Sequence, residues 1–290
     1  MSRSQEQSIK EHIRTLSKER NLTFAELWQN LVLERFLARL HESNHKEHFI
    51  LKGGSLLARY IDLGRETRDL DFLVEKMANA IVSVSDAIDR ICCIDLDDAF
   101  SFERIKIHPL THPHMNYTGA QVALLARLGK TKTHLLIDIG FGDIVEPVDH
   151  SITLTSTRKG PLFENKIQLK CYPKEFIFAE KLETVIYRGG VNSRMKDFHD
   201  LYSLVSLSEC LNSTYLEKVI INVFNHRGTS IQKLPLNFDT IAITNLQSLW
   251  ENYCKELKPS ISLPSSLGKV VSTINHWLES ATALCKCEKI

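Results

Sequence analysis

No long apolar run exists in this sequence. Nothing approaches the roughly eighteen consecutive apolar residues of a membrane span, and the first residues, Met-Ser-Arg-Ser-Gln-Glu-Gln, lack the apolar core of a secretion signal. A cytoplasmic protein with no membrane contact is expected. Neither sign of charge is in excess: 36 Lys and Arg stand against 35 Asp and Glu, a formal net charge of +1. That balance argues against a surface coated in positive charge for indiscriminate nucleic-acid binding, and leaves room for a local basic patch. Disulfide and zinc frameworks are absent too. The seven cysteines, Cys92-Cys93, Cys171, Cys210, Cys254 and Cys285-Lys-Cys287, are odd in number and match neither spacing, so reduced thiols are expected. With 43% apolar residues over 290 positions, the disordered and collagen classes are excluded, and the chain can build one large domain or two modest ones.

What is present centres on Phe49 to Glu75. Phe49, Ile50 and Leu51 read as the end of a buried strand. Gly53-Gly54 strips its tip of side chains, so that a ligand can approach the backbone, and Ser55 opens a short helix whose free amides favour an anion such as phosphate. Leu56, Leu57, Tyr60 and Ile61 mark one face of that helix, with Gly64 just past its end. The pattern then turns to alternation. Leu70, Phe72 and Val74 face a core, which sets Asp69, Asp71, Leu73 and Glu75 on the other face of one strand. Two carboxylates are thus held roughly 6 to 7 Å apart at their Cα atoms. Such a pair makes sense around a cation, Mg²⁺ shared with substrate phosphates being the natural one, or as a solvated face paired with Arg65 and Arg68.

Two helices are expected ahead of this stretch, Glu6 to Glu19 and Thr23 to Leu40, both amphipathic, with Thr23 and Glu26 as a capping box. His41, His45 and His48 follow at near-helical spacing, for which an exposed helix end is the simpler reading than a metal site. Beyond the acidic strand, a helix is predicted over Ala78 to Ile91. Strands follow at Phe100 to Ile107, Gln121 to Leu128 and Thr133 to Ile139, the last two joined by a turn at Gly129 to Lys132. His108, His112 and His114 are placed in a loop. In the last strand Asp138 interrupts an apolar run, a costly position unless it is paired or metal-bound.

Pro147 to Gly160 reads as polar and turn-rich, and an approximate domain boundary is placed near Tyr172-Pro173, giving domains 1-172 and 173-290. A helix from Lys174 to Arg188 carries Lys174, Lys181 and Arg188 along one side, a basic ridge that meets triphosphate, RNA phosphate or water. After Gly189-Gly190 a second helix, Arg194 to Leu207, sets Asp197 and Asp200 three residues apart. Helical patterns around Leu216 to Phe224, Ile243 to Leu257 and Leu267 to Leu284 complete a mainly helical second half.

Gly-Gly-Ser, a spacer, Arg65-x-Thr67-x-Asp69-x-Asp71, and the preceding Glu34-Arg35-Phe36-Leu37-Ala38-Arg39-Leu40 resemble the nucleotidyltransferase toxins of the AbiEii type, within the DNA polymerase β-like superfamily. The resemblance runs from the first helices to Leu204. It implies an α/β (α+β) fold: a polymerase β-like nucleotidyltransferase core with a mixed sheet, then a mainly helical carboxy-terminal domain. It implies a metal-dependent enzyme with NTP as substrate and Mg²⁺ (or Mn²⁺) on Asp69, Asp71 and, as third carboxylate, Asp138. Gly53, Gly54 and Ser55 would cradle phosphates, with Lys52, Arg65, Thr67 and Arg68 as further nucleotide-binding candidates. Ala179 to Leu182 with Arg194 to Leu201 is similar to the family's second block, in which a helical Lys and a downstream Asp are essential. Lys181 matches the first, and Asp197 is preferred over Asp200 for the second. The implied acceptor is RNA, the tRNA 3′ end, giving a growth-inhibiting toxin countered by a co-encoded antitoxin. Transfer to a protein or small-molecule hydroxyl, and a nucleotide- or RNA-binding module without turnover, remain the alternatives.

Overall fold

The capping box forms. Glu26 N donates to Thr23 Oγ1 at 3.1 Å and Thr23 N donates to Glu26 Oε2 at 2.6 Å, fixing the start of α2 (Phe24–Glu42), which follows α1 (Arg3–Arg20). The structure is a computed structural model and describes residues 3–77, 81–110, 119–158, 160–207, 211–258, 261–282 and 284. The chain continues through β1 (Phe49–Lys52), α3 (Gly53–Tyr60), β2 (Asp69–Val74), α4 (Ile81–Cys92), β3 (Phe100–Leu110), β4 (Gly119–Leu128) and β5 (Thr131–Phe141). Then come β6 (Val148–Thr153), the two-residue strands β7 (Ser156–Thr157) and β8 (Gly160–Pro161), and β9 (Lys166–Cys171). The helices α5 (Lys174–Arg188), α6 (Met195–Ser206), α7 (Ser213–Arg227), α8 (Thr240–Lys255) and α9 (Leu267–Ala281) follow. Among the described residues no helix is long and apolar enough to cross a membrane.

Two compact units result, Met1–Leu56 with Glu66–Asp143 and Pro147–Tyr172, and Leu57–Arg65 with Ile144–Glu146 and Pro173–Ile290. The first holds a seven-stranded sheet in the order β3-β4-β5-β2-β1-β9-β6. It is mixed: β2 pairs parallel with β5 and β1 parallel with β9, the other pairings being antiparallel. In the second, every regular element described after Pro173 is helical. The fold is therefore mixed α/β with a helical second half.

Several local expectations are corrected. Pro147 to Gly160 is not all turn, because Val148–Thr153 pairs with Lys166–Cys171 as a sheet edge; the polar side chains that hid it face outward on an edge strand. His108 belongs to β3, opposite Gln121, while His112 and His114 lie outside the described residues. The helix predicted from Ser55 begins at Gly53. In α2, amphipathy gives way to burial nearly all round from Leu31 to Leu40, Glu34, Arg35 and Arg39 included. Those charges are tolerated because each is matched. Arg39 makes a two-point bond to Asp98 at 2.8 Å, Arg35 Nε reaches Asp98 at 2.6 Å and its Nη1 pairs with Glu164, and Glu34 accepts from the Thr155 amide and hydroxyl. His41 and His48 bond the carbonyls of Gln168 and Glu75 at 2.9 and 3.1 Å. Cys92, Cys93, Cys171 and Cys254 are free thiols.

Candidate active site

In the first unit, strand register brings the acidic residues together. Asp71 on β2 is the direct partner of Asp138 on β5, and Asp69 pairs with Leu136. Because side chains alternate along a strand, Asp69, Asp71, Asp138 and Gly140 share one face of the sheet. Burial follows that period on β5, where Leu135, Ile137 and Ile139 are buried while Leu136 and Asp138 are half-exposed. The burial expected of Asp138 is thus only partial. Its carboxylate accepts from Gln121 Nε2 at 2.7 Å, the side chain directly opposite on β4. On β2 the same face closes over at Leu73, which is buried, so the acids stand at its open end.

Beside them runs the turn from β1 into α3. Gly53 has φ +71, and a Cβ built there would lie 2.0 Å from Asp71 Oδ2. Only glycine fits, for two independent reasons: the left-handed backbone and the carboxylate pressed against it. Gly53→Ala is accordingly expected to destabilise the chain by about 1–2 kcal/mol through the backbone alone and to displace Asp71. Urea unfolding measures the first effect, and loss of nucleotidyl transfer measures the second. Two hydroxyls nearby in sequence, Ser55 Oγ and Thr67 Oγ1, are buried with no hydrogen-bond partner among the described residues. Lys52, opposite Asp71 in the β1–β2 register, donates to Asp143 Oδ2 at 2.6 Å and sits 5.0 Å from the centre of the Tyr172 ring. Arg68 is exposed and bonds Glu66 at 2.9 Å. Gln121, Asp143 and Tyr172 were not singled out from sequence. The signal for Asp143 was there, an acid just past a strand in Gly-Phe-Gly-Asp.

The second unit contains Lys181, and not on a solvated ridge. Lys181 Nζ reaches Asp197 Oδ1 at 2.8 Å and Asp200 Oδ2 at 2.7 Å, both carboxylates being fully buried on α6. Sequence spacing could not show this, because the partners come from the next helix. Burial alone would lower the Lys181 pKa, but Asp197 and Asp200 together raise it above the ordinary lysine value. Burial pushes Asp197 up, yet Lys181 and Arg194 outweigh it and hold its carboxyl at about 2. Arg65 completes the cluster by a fork onto Asp200, Nη2 donating to Oδ2 at 2.8 Å and to Oδ1 at 2.9 Å and Nε to Oδ1 at 3.3 Å. Both candidate acids therefore contact Lys181, and Asp200 alone also binds Arg65.

Next to Asp200, His199 is wholly buried, with Nδ1 2.7 Å from the Tyr253 hydroxyl. Burial lowers its pKa from 6.5 to about 4. Below pH 6.5 the unfolded chain takes up a proton that the folded chain refuses until near pH 4, so acidification favours unfolding. Between pH 6.5 and 5 about 2 kcal/mol of stability should be lost. Urea titrations at the two pH values test this, and His199→Asn should flatten the difference.

Among the described residues, no three His, Cys, Asp or Glu side chains already converge as a metal cluster. The model of the nucleotidyl transferase AbiEii toxins, of type IV toxin–antitoxin systems, matches residues 35–272. The chain belongs to this family. It is thereby a nucleotidyl transferase toxin of the type IV class, and the match extends well past Leu204, where the motif resemblance stopped. MenT4, a nucleotidyltransferase toxin from Mycobacterium tuberculosis, is similar in structure with a TM-score of 0.58 and 13% identity, over 98% of this chain and 90% of MenT4. At that identity the likeness shows a shared fold. JHP933 from Helicobacter pylori is 15% identical with a TM-score of 0.49, over 90% of this chain and 93% of JHP933. No curated protein matches in sequence.

Proposed function

We propose that this chain transfers a nucleoside monophosphate from an NTP to an RNA hydroxyl, the tRNA 3′ end being the acceptor that the family resemblance suggests. The observation that carries the reading is the face shared by Asp69, Asp71 and Asp138 beside the glycine turn at Gly53. Three carboxylates with only hard oxygen donors, and two buried hydroxyls in the same motif with no hydrogen-bond partner among the described residues, fit Mg²⁺ or Mn²⁺ together with a triphosphate. Asp69, Asp71 and Asp138 would hold the cation, with Asp138 turning from Gln121. When bound, it supplies neutralisation of charge building on the phosphoryl oxygens.

The chain's own residues do the rest. The α3 amides at Gly54 and Ser55, with the Ser55 and Thr67 hydroxyls, orient the phosphates, and Lys52 adds a point charge beside them. An acceptor hydroxyl attacks the α-phosphorus in line; the new oxygen–phosphorus bond forms as the bond from the α-phosphorus to the bridging oxygen breaks, pyrophosphate leaves, and the hydroxyl proton passes to water. Lys181 and Asp197 belong to this reading as the family's essential pair, and the domains are taken as 1-172 and 173-290. A co-encoded antitoxin is the proposed partner, and the cytoplasm the site of action.

The test is incubation of the pure chain with each labelled NTP and Mg²⁺, in separate reactions with total RNA, protein extract and aminoglycosides. Label in RNA, resolved to a tRNA 3′ end by sequencing, is the expected result. Label only in protein or in the small molecules would move the acceptor outside RNA, and nucleotide binding with no transfer anywhere would leave a binding module.

A further inference from the structure

We infer that Asp143 is a positioning residue that acts through Lys52, holding its ammonium beside the nucleotide phosphates; this rests on the nucleotide site proposed above. Lys52 ends β1 directly before Gly53 and is the register partner of Asp71. A lysine there has a flexible stem and carboxylates on either side. Without an anchor its ammonium would spread over many rotamers, and ordering it would count against phosphate binding.

The fold supplies an anchor. Asp143 follows β5 by two residues and folds back over Gly140, where a Cβ would lie 3.7 Å from Asp143 Oδ2. Gly140 shares its face with Asp138, so the Asp143 carboxylate returns to the acidic face. Asp143 is 7% exposed. It accepts from Lys52 Nζ at 2.6 Å, and that short bond is strengthened by its surroundings. Tyr172, wholly buried, backs the same ammonium with its ring at 5.0 Å and its hydroxyl at 3.5 Å. Tyr172 is itself fixed, its amide donating to the Leu51 carbonyl at 2.9 Å. Two anchors, from just past the ends of β5 and β9, thus define one place for a side chain that has four rotatable bonds, which removes an ordering cost from nucleotide binding.

The experiment is a double-mutant cycle on the full chain, read as the Kd of each of the four NTPs by equilibrium dialysis and as KM and kcat of transfer. Asp143→Asn in the wild-type background should weaken NTP binding and raise KM about tenfold with little change in kcat, whereas Asp143→Glu should recover most of the affinity. In a Lys52→Met background, Asp143→Asn should cost nothing further. A full tenfold loss in that background, or no loss in either, overturns the inference, since the first means Asp143 acts without Lys52 and the second that it does not act. Should Asp143→Asn fail to fold, Asp143→Ser, alone and combined with Lys52→Met, decides in the same way, since it too removes the carboxylate. Failure of the wild-type chain to bind any NTP would overturn the site reading itself, a different result from binding that ignores Asp143.

Discussion

Asp71→Asn is expected to reduce nucleotidyl transfer by roughly a thousandfold or more while the chain stays folded. The substitution keeps shape and volume, so the packing against Gly53 is preserved, although one acceptor oxygen becomes a donor. It removes the charge at the centre of the acidic face, where Asp71 lies between its register partners Lys52 and Asp138. Asp69→Asn and Asp138→Asn should act in the same direction, the last more weakly, because Asp138 is half-exposed and already shares its carboxylate with Gln121. The measurement is incorporation of labelled nucleotide alongside thermal melting. Transfer at the wild-type rate by a folded Asp71→Asn chain would remove the acidic face from the chemistry.

The largest effect on stability should come from Asp200. Its carboxylate takes the Arg65 fork and the Lys181 ammonium together, inside a wholly buried position. Asp200→Asn leaves Arg65, Lys181 and Arg194 facing the single charge of Asp197, and breaking a buried pair of this kind costs about 3–5 kcal/mol. Asp197→Asn should cost less, since one of its partners, Arg194, is 43% exposed at its side chain and can turn to water. Urea unfolding of the two variants side by side gives the order. Equal losses would mean that Arg65 contributes little to the cluster. Activity separates the roles further: with Lys181 held by both acids, loss of either should disturb transfer by moving Lys181 as well as through stability.

Much of this was legible without coordinates. Alternation in Leu70-Asp71-Phe72 and in Leu135 to Ile139 gave strands whose acids point one way, because a strand's period is two whatever its neighbours are. The capping box at Thr23 and the helix over Lys174 to Arg188 depend on contacts within a few residues, and both formed where the local pattern put them. The edge strand Val148–Thr153 was missed because an edge exposed to water need not alternate. The burial of α2 was missed because its charges find partners 59 to 129 residues away.

From its order of residues alone, the chain determined which side chains could do chemistry and on which kind of element each would stand, since periodicity, caps and glycine turns are local. Only the tertiary structure decided which of them meet. Strand order set Asp138 opposite Asp71, the turn after β5 returned Asp143 to Lys52, and helix packing placed Lys181 between two aspartates. Those pairings join positions from 16 to 91 residues apart. Their energies come from burial and opposed charge, which spacing along a sequence does not record.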